Sequence, residues 1–192
     1  MSRDIPLPRP GRGATRARMA EMLRVDHAGE TAAVEIYKAQ SRVFSRSPQH
    51  QDFAADLSRM QAEEAVHLAA FDDLLNSHRV RPTLMLPLWR VMAYGLGVGT
   101  ALMGEKAAHA CTEAVESVIG AHYDDQAREV DASAIGDQAP DLADRFRQFR
   151  DEELAHHDDA IARGAREAPA YPLLTAVIRA GCRAAIRISE KV

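Results

Sequence analysis

The chain has 192 residues, room for one domain with a sizeable core. Hydrophobic residues make up 46% of it and aromatics only 5%, with alanine and leucine plentiful, a balance that favours helices over sheets. A net charge of −4 gives no reason to expect nucleic acid, and Cys111 and Cys182 have neither zinc-site nor disulfide-framework spacing, so a reduced, cytosolic setting is the default.

Residues 1–18 carry Pro6, Pro8, Pro10, Gly11 and Gly13 among Arg3, Arg9, Arg12, Arg16 and Arg18. They read as a flexible basic tail ahead of a single domain over 19–192. The stretch has no continuous apolar core of a secretory signal, and a disordered leader is a simpler reading than a short transit peptide. A first helix is predicted from about Met19 to Phe44, broken by Ser47-Pro48. A second follows from about Gln51 to Ser77, with an apolar stripe of Phe53, Leu57, Met60, Leu68, Phe71, Leu74 and Leu75.

Beyond Arg81-Pro82, residues 84–103 are apolar apart from Arg90 and are interrupted by Pro87, Gly95, Gly97 and Gly99. The run approaches the roughly 20 residues of a membrane span. Its charge and proline favour instead an apolar hairpin or helix lying on a membrane or against a partner. A third helix is predicted over Leu102–Arg128, a loop at Gly136 and Pro140, and a fourth helix over Leu142–Ala165 with Leu142, Phe146, Phe149 and Ala160 in its stripe. The last segment, Tyr171–Val192, is amphipathic, with Leu173, Leu174, Val177, Ile178, Ala185 and Ile188 as apolar surface and Arg179, Arg183 and Arg187 at four-residue intervals. Such a helix suits an anionic membrane surface, and equally a helix packed on the bundle with an exposed arginine edge.

Two Glu-x-x-His pairs stand out, Glu64/His67 and Glu153/His156. At this spacing both side chains lie on one helical face and reach one metal or two adjacent ones. Chance supplies roughly half of one such pair at this chain's content of glutamate and histidine, so the count alone is weak. Their phase carries more weight. Both pairs occupy stripe positions where an uncompensated carboxylate is very costly. Glu152 and His157 are rotated about 100° from that face and are expected toward water or a flank.

The halves also match: Glu30 to Glu64 spans 34 residues and Glu116 to Glu153 spans 37, each a helix with a lone glutamate followed by a helix with Glu-x-x-His. Four glutamates and two histidines on four helices form the ligand set of a two-metal site in a ferritin-like bundle. Two divalent cations balance four carboxylates, with both histidines neutral. Mixed oxygen and nitrogen donors without thiolate suit iron or manganese better than zinc. Spacing does not choose between Glu113 and Glu116, and it leaves Glu105 and Glu35 as more distant alternatives. Asp26, one turn before Glu30, is a candidate to orient a ligand histidine, or else a surface cap or salt bridge.

Several stretches together resemble the demethoxyubiquinone hydroxylase family of ubiquinone biosynthesis. They are Arg24-Val25-Asp26-His27-Ala28-Gly29-Glu30, Glu64-Ala65-Val66-His67, Arg81-Pro82-Thr83, Pro87-Leu88-Trp89, Ala110-Cys111-Thr112, Val115-Glu116, His122-Tyr123, the run from Phe149 to His157, and Ala180-Gly181-Cys182-Arg183. The likeness covers the chain from about residue 20 onward. It implies an all-α, ferritin-like four-helix bundle with two additional apolar or amphipathic membrane-associating segments. It implies two irons at Glu30, Glu64, His67, Glu116, Glu153 and His156, and so selects Glu116 over Glu113.

The implied reaction is hydroxylation of a polyprenylated methoxy-methyl-benzoquinone or its quinol, with O₂ as co-substrate and an external reductant, NADH being one candidate. The implied setting is peripheral, on the cytoplasmic face of a bacterial plasma membrane, or on the mitochondrial inner membrane in a eukaryote. A lipid-binding protein of the same pathway and a second copy of the chain are candidate partners. The competing reading is a ferritin-like protein that oxidises or stores iron, for which the apolar segment has no use.

Overall fold

The computed structural model describes residues 12–192. Seven α-helices follow one another among the described residues: α1 (Arg12–Phe44), α2 (Gln51–His78), α3 (Leu86–Leu102), α4 (Glu105–Asp131), α5 (Ile135–Gln138), α6 (Leu142–Ala162) and α7 (Tyr171–Ser189). No strand is present among them. Of the tail expected over residues 1–18, residues 1–11 lie outside the described residues, and residues 12–18 are the opening turns of α1. Arg18 gives those turns an anchor. Its guanidinium bonds Glu129 of α4 at 2.8 and 3.0 Å, Glu21 at 3.2 Å and Glu190 beyond α7 at 3.1 Å.

α1 and α2 are joined by a single 3₁₀ turn at Pro48–His50 and pack along one another. α4 and α6 form the matching hairpin through the short α5. The backbones approach closely within each hairpin and stand farther apart between hairpins, where side chains do the bridging. Two apolar layers close the ends of that space. One joins Met22 and Leu23 of α1 to Phe71, Tyr123, Phe146 and Phe149. The other joins Tyr37 and Phe44 to Leu57, Met60, Ala101 and Ala108. Each fully buried Leu, Met or Phe in these layers contributes about 1.5–3 kcal/mol. The stripes expected on α2 and α6 supply the buried Leu57, Met60, Phe71, Leu75, Leu142, Phe146 and Phe149.

The apolar run forms one helix, α3, of 17 residues. At 1.5 Å per residue it is about 25 Å long, short of the roughly 30 Å hydrocarbon core. No helix among the described residues is long and apolar enough to cross a membrane. The third helix begins at Glu105 rather than Leu102, because Gly104 at φ 104° turns the chain between α3 and α4. α3 lies along α1, and α7 lies mainly on α4. Trp89 Nε1 donates to Ser189 Oγ at 3.0 Å and links the two outer helices.

Gly97 sets how closely α3 approaches α1. A Cβ there would stand 2.5 Å from the Ile36 carbonyl oxygen and 2.8 Å from Ala39 Cβ, whereas Gly95 and Gly99 face open space. Gly97→Ala is therefore expected to destabilise the fold by about 1–3 kcal/mol. Gly95→Ala and Gly99→Ala are expected to stabilise it by about 0.5–1 kcal/mol through helix propensity. Urea unfolding of the three variants checks this, and equal effects at all three positions would contradict the packing assigned to Gly97.

Candidate metal centre

Between the two apolar layers, each long helix turns a polar residue inward. α1 contributes Glu30, α2 contributes Glu64 and His67, α4 contributes Glu116, and α6 contributes Glu153 and His156. The four glutamates are no more than 1% exposed. Glu30, Glu64, His67 and Glu153 each offer an atom within 4.8 Å of the others. His67 Nδ1 lies 3.1 Å from Glu153, 3.4 Å from Glu64 and 3.5 Å from Glu30. His156 Nδ1 lies 3.1 Å from Glu64 and 3.7 Å from Glu153. The structure thus brings Glu30, Glu64, His67, Glu153 and His156 into contact, while Glu116 stands beside them, felt through the charges of Glu153 and Glu64 and bonded to Tyr37. Phe149 packs on the His67 ring with centroids 4.3 Å apart.

The alternatives separate clearly. Glu113 is buried against Arg179, whose Nη2 lies 2.5 Å away, with His157 Nε2 at 3.6 Å. Glu105 pairs with His50 at 2.6 Å and Glu35 with Lys38 at 3.0 Å. Asp26 does not orient a site histidine and is not on the surface. It is 3% exposed, with His122 Nε2 3.6 Å away. Burial raises its pKa well above the carboxylate range, against a lowering contact from Gln126.

Four residues escaped the sequence reading as part of the site. Tyr37 OH donates to Glu116 Oε1 at 2.7 Å, and Tyr123 OH donates to Glu30. Each tyrosine stands seven residues, two turns, beyond the glutamate of its own helix and bonds the glutamate of the other half, a repeat that the sequence carried but that points nowhere without the packing. Burial and the adjacent carboxylates raise both phenol pKa values, so both groups stay protonated and donate. Glu152, expected toward water or a flank, is 44% exposed and from there also accepts from His67 Nε2 at 2.6 Å, and Glu63 accepts from His156 Nε2 at 3.1 Å. The signal for these two was the doubled glutamate in both motifs, Glu63-Glu64-x-x-His67 and Glu152-Glu153-x-x-His156.

Charge is shared unevenly across the cluster. Burial, with Glu153 and Glu64 nearby, raises the pKa of Glu116 well above the usual range. Burial does the same at Glu30, against a lowering hydrogen bond from His67. At Glu64 burial is outweighed by His156 and His67, and the pKa falls to about 2. Burial lowers the pKa of His67, but hydrogen bonds to Glu153, Glu30 and Glu64 win and raise it far above the imidazole range. At His156 the same opposition raises it to about 11.

The donor set fits divalent cations. Glu30 Oε2, Glu116 Oε2, Glu153 Oε2, both oxygens of Glu64 and His156 Nδ1 are buried without an aligned hydrogen bond, the histidine contacts among them being charge contacts of poor hydrogen-bond geometry. Each such atom costs roughly 1–3 kcal/mol if left unsatisfied. Carboxylate oxygens and imidazole nitrogens converging from four helices, with no thiolate among them, suit a pair of first-row metals such as iron.

Residues 17–189 match the family model of ubiquinone biosynthesis protein COQ7. The chain belongs to the COQ7 family. It is 46% identical over 183 residues to the 3-demethoxyubiquinol 3-hydroxylase of Rhodospirillum rubrum, covering 95% of this chain and 82% of that protein. It is 44% identical over 179 residues to the rat protein named NADPH-dependent 3-demethoxyubiquinone 3-hydroxylase, mitochondrial, covering 92% and 79%. It is 36% identical over 189 residues to the 5-demethoxyubiquinone hydroxylase, mitochondrial, of Saccharomyces cerevisiae, covering 93% and 80%. The COQ7 match takes in α2, α4 and α6 whole and α1 from residue 17, and so every residue of the cluster.

The histidine pairing makes the metal-free protein sensitive to pH. His156 keeps its proton to about 11 in the folded chain, against 6.5 in its unperturbed state. Its stabilising contribution is therefore complete below 6.5 and is lost as the pH rises toward 11. Glu30 and Glu116, also raised, add to the same trend. The unfolding midpoint of chelator-treated protein is expected to fall steadily from about pH 7 to about pH 9. Metal affinity is expected to rise over the same range, because bound cations displace these protons. Calorimetry with and without metal reads both trends, and a metal-free midpoint that climbs with pH would contradict the pairing.

Proposed function

We propose that this chain is a di-iron monooxygenase that hydroxylates the ring of a demethoxyubiquinone or its quinol, working as a single ferritin-like domain at a membrane surface. The observation that carries the reading is the convergence of four buried glutamates and two histidines from four helices of a COQ7-family chain. Glu30, Glu64, His67, Glu116, Glu153 and His156 would hold two irons. When bound, these irons would supply the reductive activation of O₂, with one oxygen atom entering the ring and the other leaving as water. Electrons come from outside the chain, from a pyridine nucleotide in keeping with the names of the mammalian relatives.

The chain's own residues divide the remaining work. Tyr37 and Tyr123 hold Glu116 and Glu30 by donated hydrogen bonds and keep those carboxylates aimed inward. Ala33, Ile36, Tyr37, Thr112 and Val115 pack closely around Glu116 and give that side of the centre closed, largely apolar walls. The apolar layers close the reacting centre at its two ends and leave the seam between α2 and α6 as its open side.

On the outer surface, α3 presents Leu88, Val91 and Met92, and α7 presents Leu173 and Val177, with Val91 70% and Leu173 67% exposed. Exposed apolar surface on two neighbouring outer helices suits a lipid surface and a prenyl tail, and supports peripheral association. An iron-storage shell would have no such need. Of the three arginines at four-residue spacing, Arg179 is tied to Glu113 and Ser117, and Arg183 and Arg187 are exposed.

The decisive experiment is mass-spectrometric product analysis with a demethoxyquinone, reductant and ¹⁸O₂. One labelled oxygen is expected in the ring of the product, and hydroxylation is expected to vanish in Glu153→Ala and His156→Ala with helix content largely kept. Full turnover in either variant would overturn the site. Replacing Leu88, Val91 and Met92 together by serine is expected to weaken vesicle binding at least about tenfold, given roughly 1.5 kcal/mol or more per large aliphatic side chain. Unchanged partitioning would instead give that face to a protein partner.

A further inference from the structure

The two site histidines present their Nδ1 atoms to the carboxylate cluster and their Nε2 atoms to the seam between α2 and α6. A cleft of about 600 Å³ opens along that seam, with Arg59, Glu63, Val66, Glu152, Ala155 and Asp159 in its walls and both histidines at its floor. An imidazole with one face on the cleft can swing out of register unless its far nitrogen is held. In each case a carboxylate holds it, and that carboxylate belongs to the opposite hairpin. Glu152 of α6 takes His67 of α2, and Glu63 of α2 takes His156 of α6.

The two glutamates are themselves oriented in the same way. Glu63 uses its other oxygen to accept from Arg59 Nη1 at 2.9 Å, four residues earlier on α2. Glu152 uses its other oxygen to accept from Gln148 Nε2 at 3.0 Å, four residues earlier on α6. Neither glutamate is deeply buried: their side chains are 42% and 44% exposed. Their value lies in aim rather than in net ion-pair energy, which is small at such exposure.

We propose that Glu63 and Glu152 are positioning residues for the metal centre, each holding the histidine of the opposite hairpin through its Nε2–H and each oriented in turn by Arg59 or Gln148. The inference rests on the metal-binding reading given above. Fixing the far nitrogen sets the ring's tautomer and its angle, and leaves Nδ1 free of its proton for a metal. The crossing has a further consequence. Neither half of the repeat can present its histidine correctly alone, so the two metal positions form together when the hairpins close on one another.

The test uses the full-length chain and Co²⁺ as the probe. Glu63→Ala and Glu152→Ala are each expected to weaken Co²⁺ binding about 10- to 100-fold. Glu63→Gln and Glu152→Gln keep an acceptor oxygen and are expected to recover most of that loss. The specific signature is crossed. In proton NMR of the cobalt-loaded protein, Glu152→Ala should speed solvent exchange of the His67 ring N–H and spare that of His156, and Glu63→Ala should do the reverse. Contact with the Phe149 ring identifies the His67 signal.

Unchanged affinity together with unchanged exchange in both alanine variants would overturn the proposal. Should either alanine variant fail to fold, Gln148→Ala and Arg59→Ala carry the test from the surface. Faster exchange at His67 and at His156, respectively, supports the proposal, and unaltered exchange overturns it. A wild-type chain that takes up no Co²⁺ would overturn the metal centre itself, a separate result from variants that bind as tightly as wild type.

Discussion

Burying four carboxylates and two imidazoles in the middle of a helical bundle is the constraint to which the rest of this molecule answers. Hiding an ionised carboxylate in an apolar interior is so costly that the group neutralises or finds a partner. Here both happen, and unevenly. Glu64 stays ionised against two histidines, while Glu30 and Glu116 are driven toward their protonated forms. Such an arrangement survives in a protein only if the remaining core is strong. The aromatic and aliphatic layers on either side provide that strength and close the two ends of the cluster. The wider spacing between hairpins, compared with the spacing inside each, makes room for the clustered side chains where backbones would otherwise meet.

An internal two-fold relation runs through every shell of the site. Glu30 and Glu116 each receive a phenol from the opposite helix, and the two histidines each receive a carboxylate from the opposite hairpin. Each partner comes from the other half of the repeat. A duplicated helical pair that merely stacked would let each half support its own ligands. The crossing found here makes the interface between halves inseparable from the geometry of the centre, so stability of the fold and order at the site are linked.

The outer helices follow a different logic. α3 is held against α1 by the close approach at Gly97, and α7 is held to α4 by Arg179 on the buried Glu113. Each therefore spends one face on the bundle and leaves the other, rich in aliphatic side chains, uncovered. The C-terminal arginines that share a four-residue spacing do not share a role, since one lies over a buried acid and two do not. Helical periodicity reports that residues lie on one face, but it cannot say which neighbour that face meets.

Much of the architecture was legible in the chain itself. Apolar stripes at helical period placed α2 and α6, and the phase of Glu64, His67, Glu153 and His156 within those stripes marked them as buried before any packing was known. Proline and glycine placed the breaks to within a few residues, because their backbone constraints are local. The tertiary structure decided what depends on residues far apart in sequence: that Glu116 faces the cluster while Glu113 meets Arg179, that Asp26 turns to His122, that Glu152 at its flank also reaches a histidine, and that Arg18 finds Glu129 across the bundle. These are pairings across helices, and a sequence records each partner's position along its own helix but not the rotation and spacing that bring two helices together.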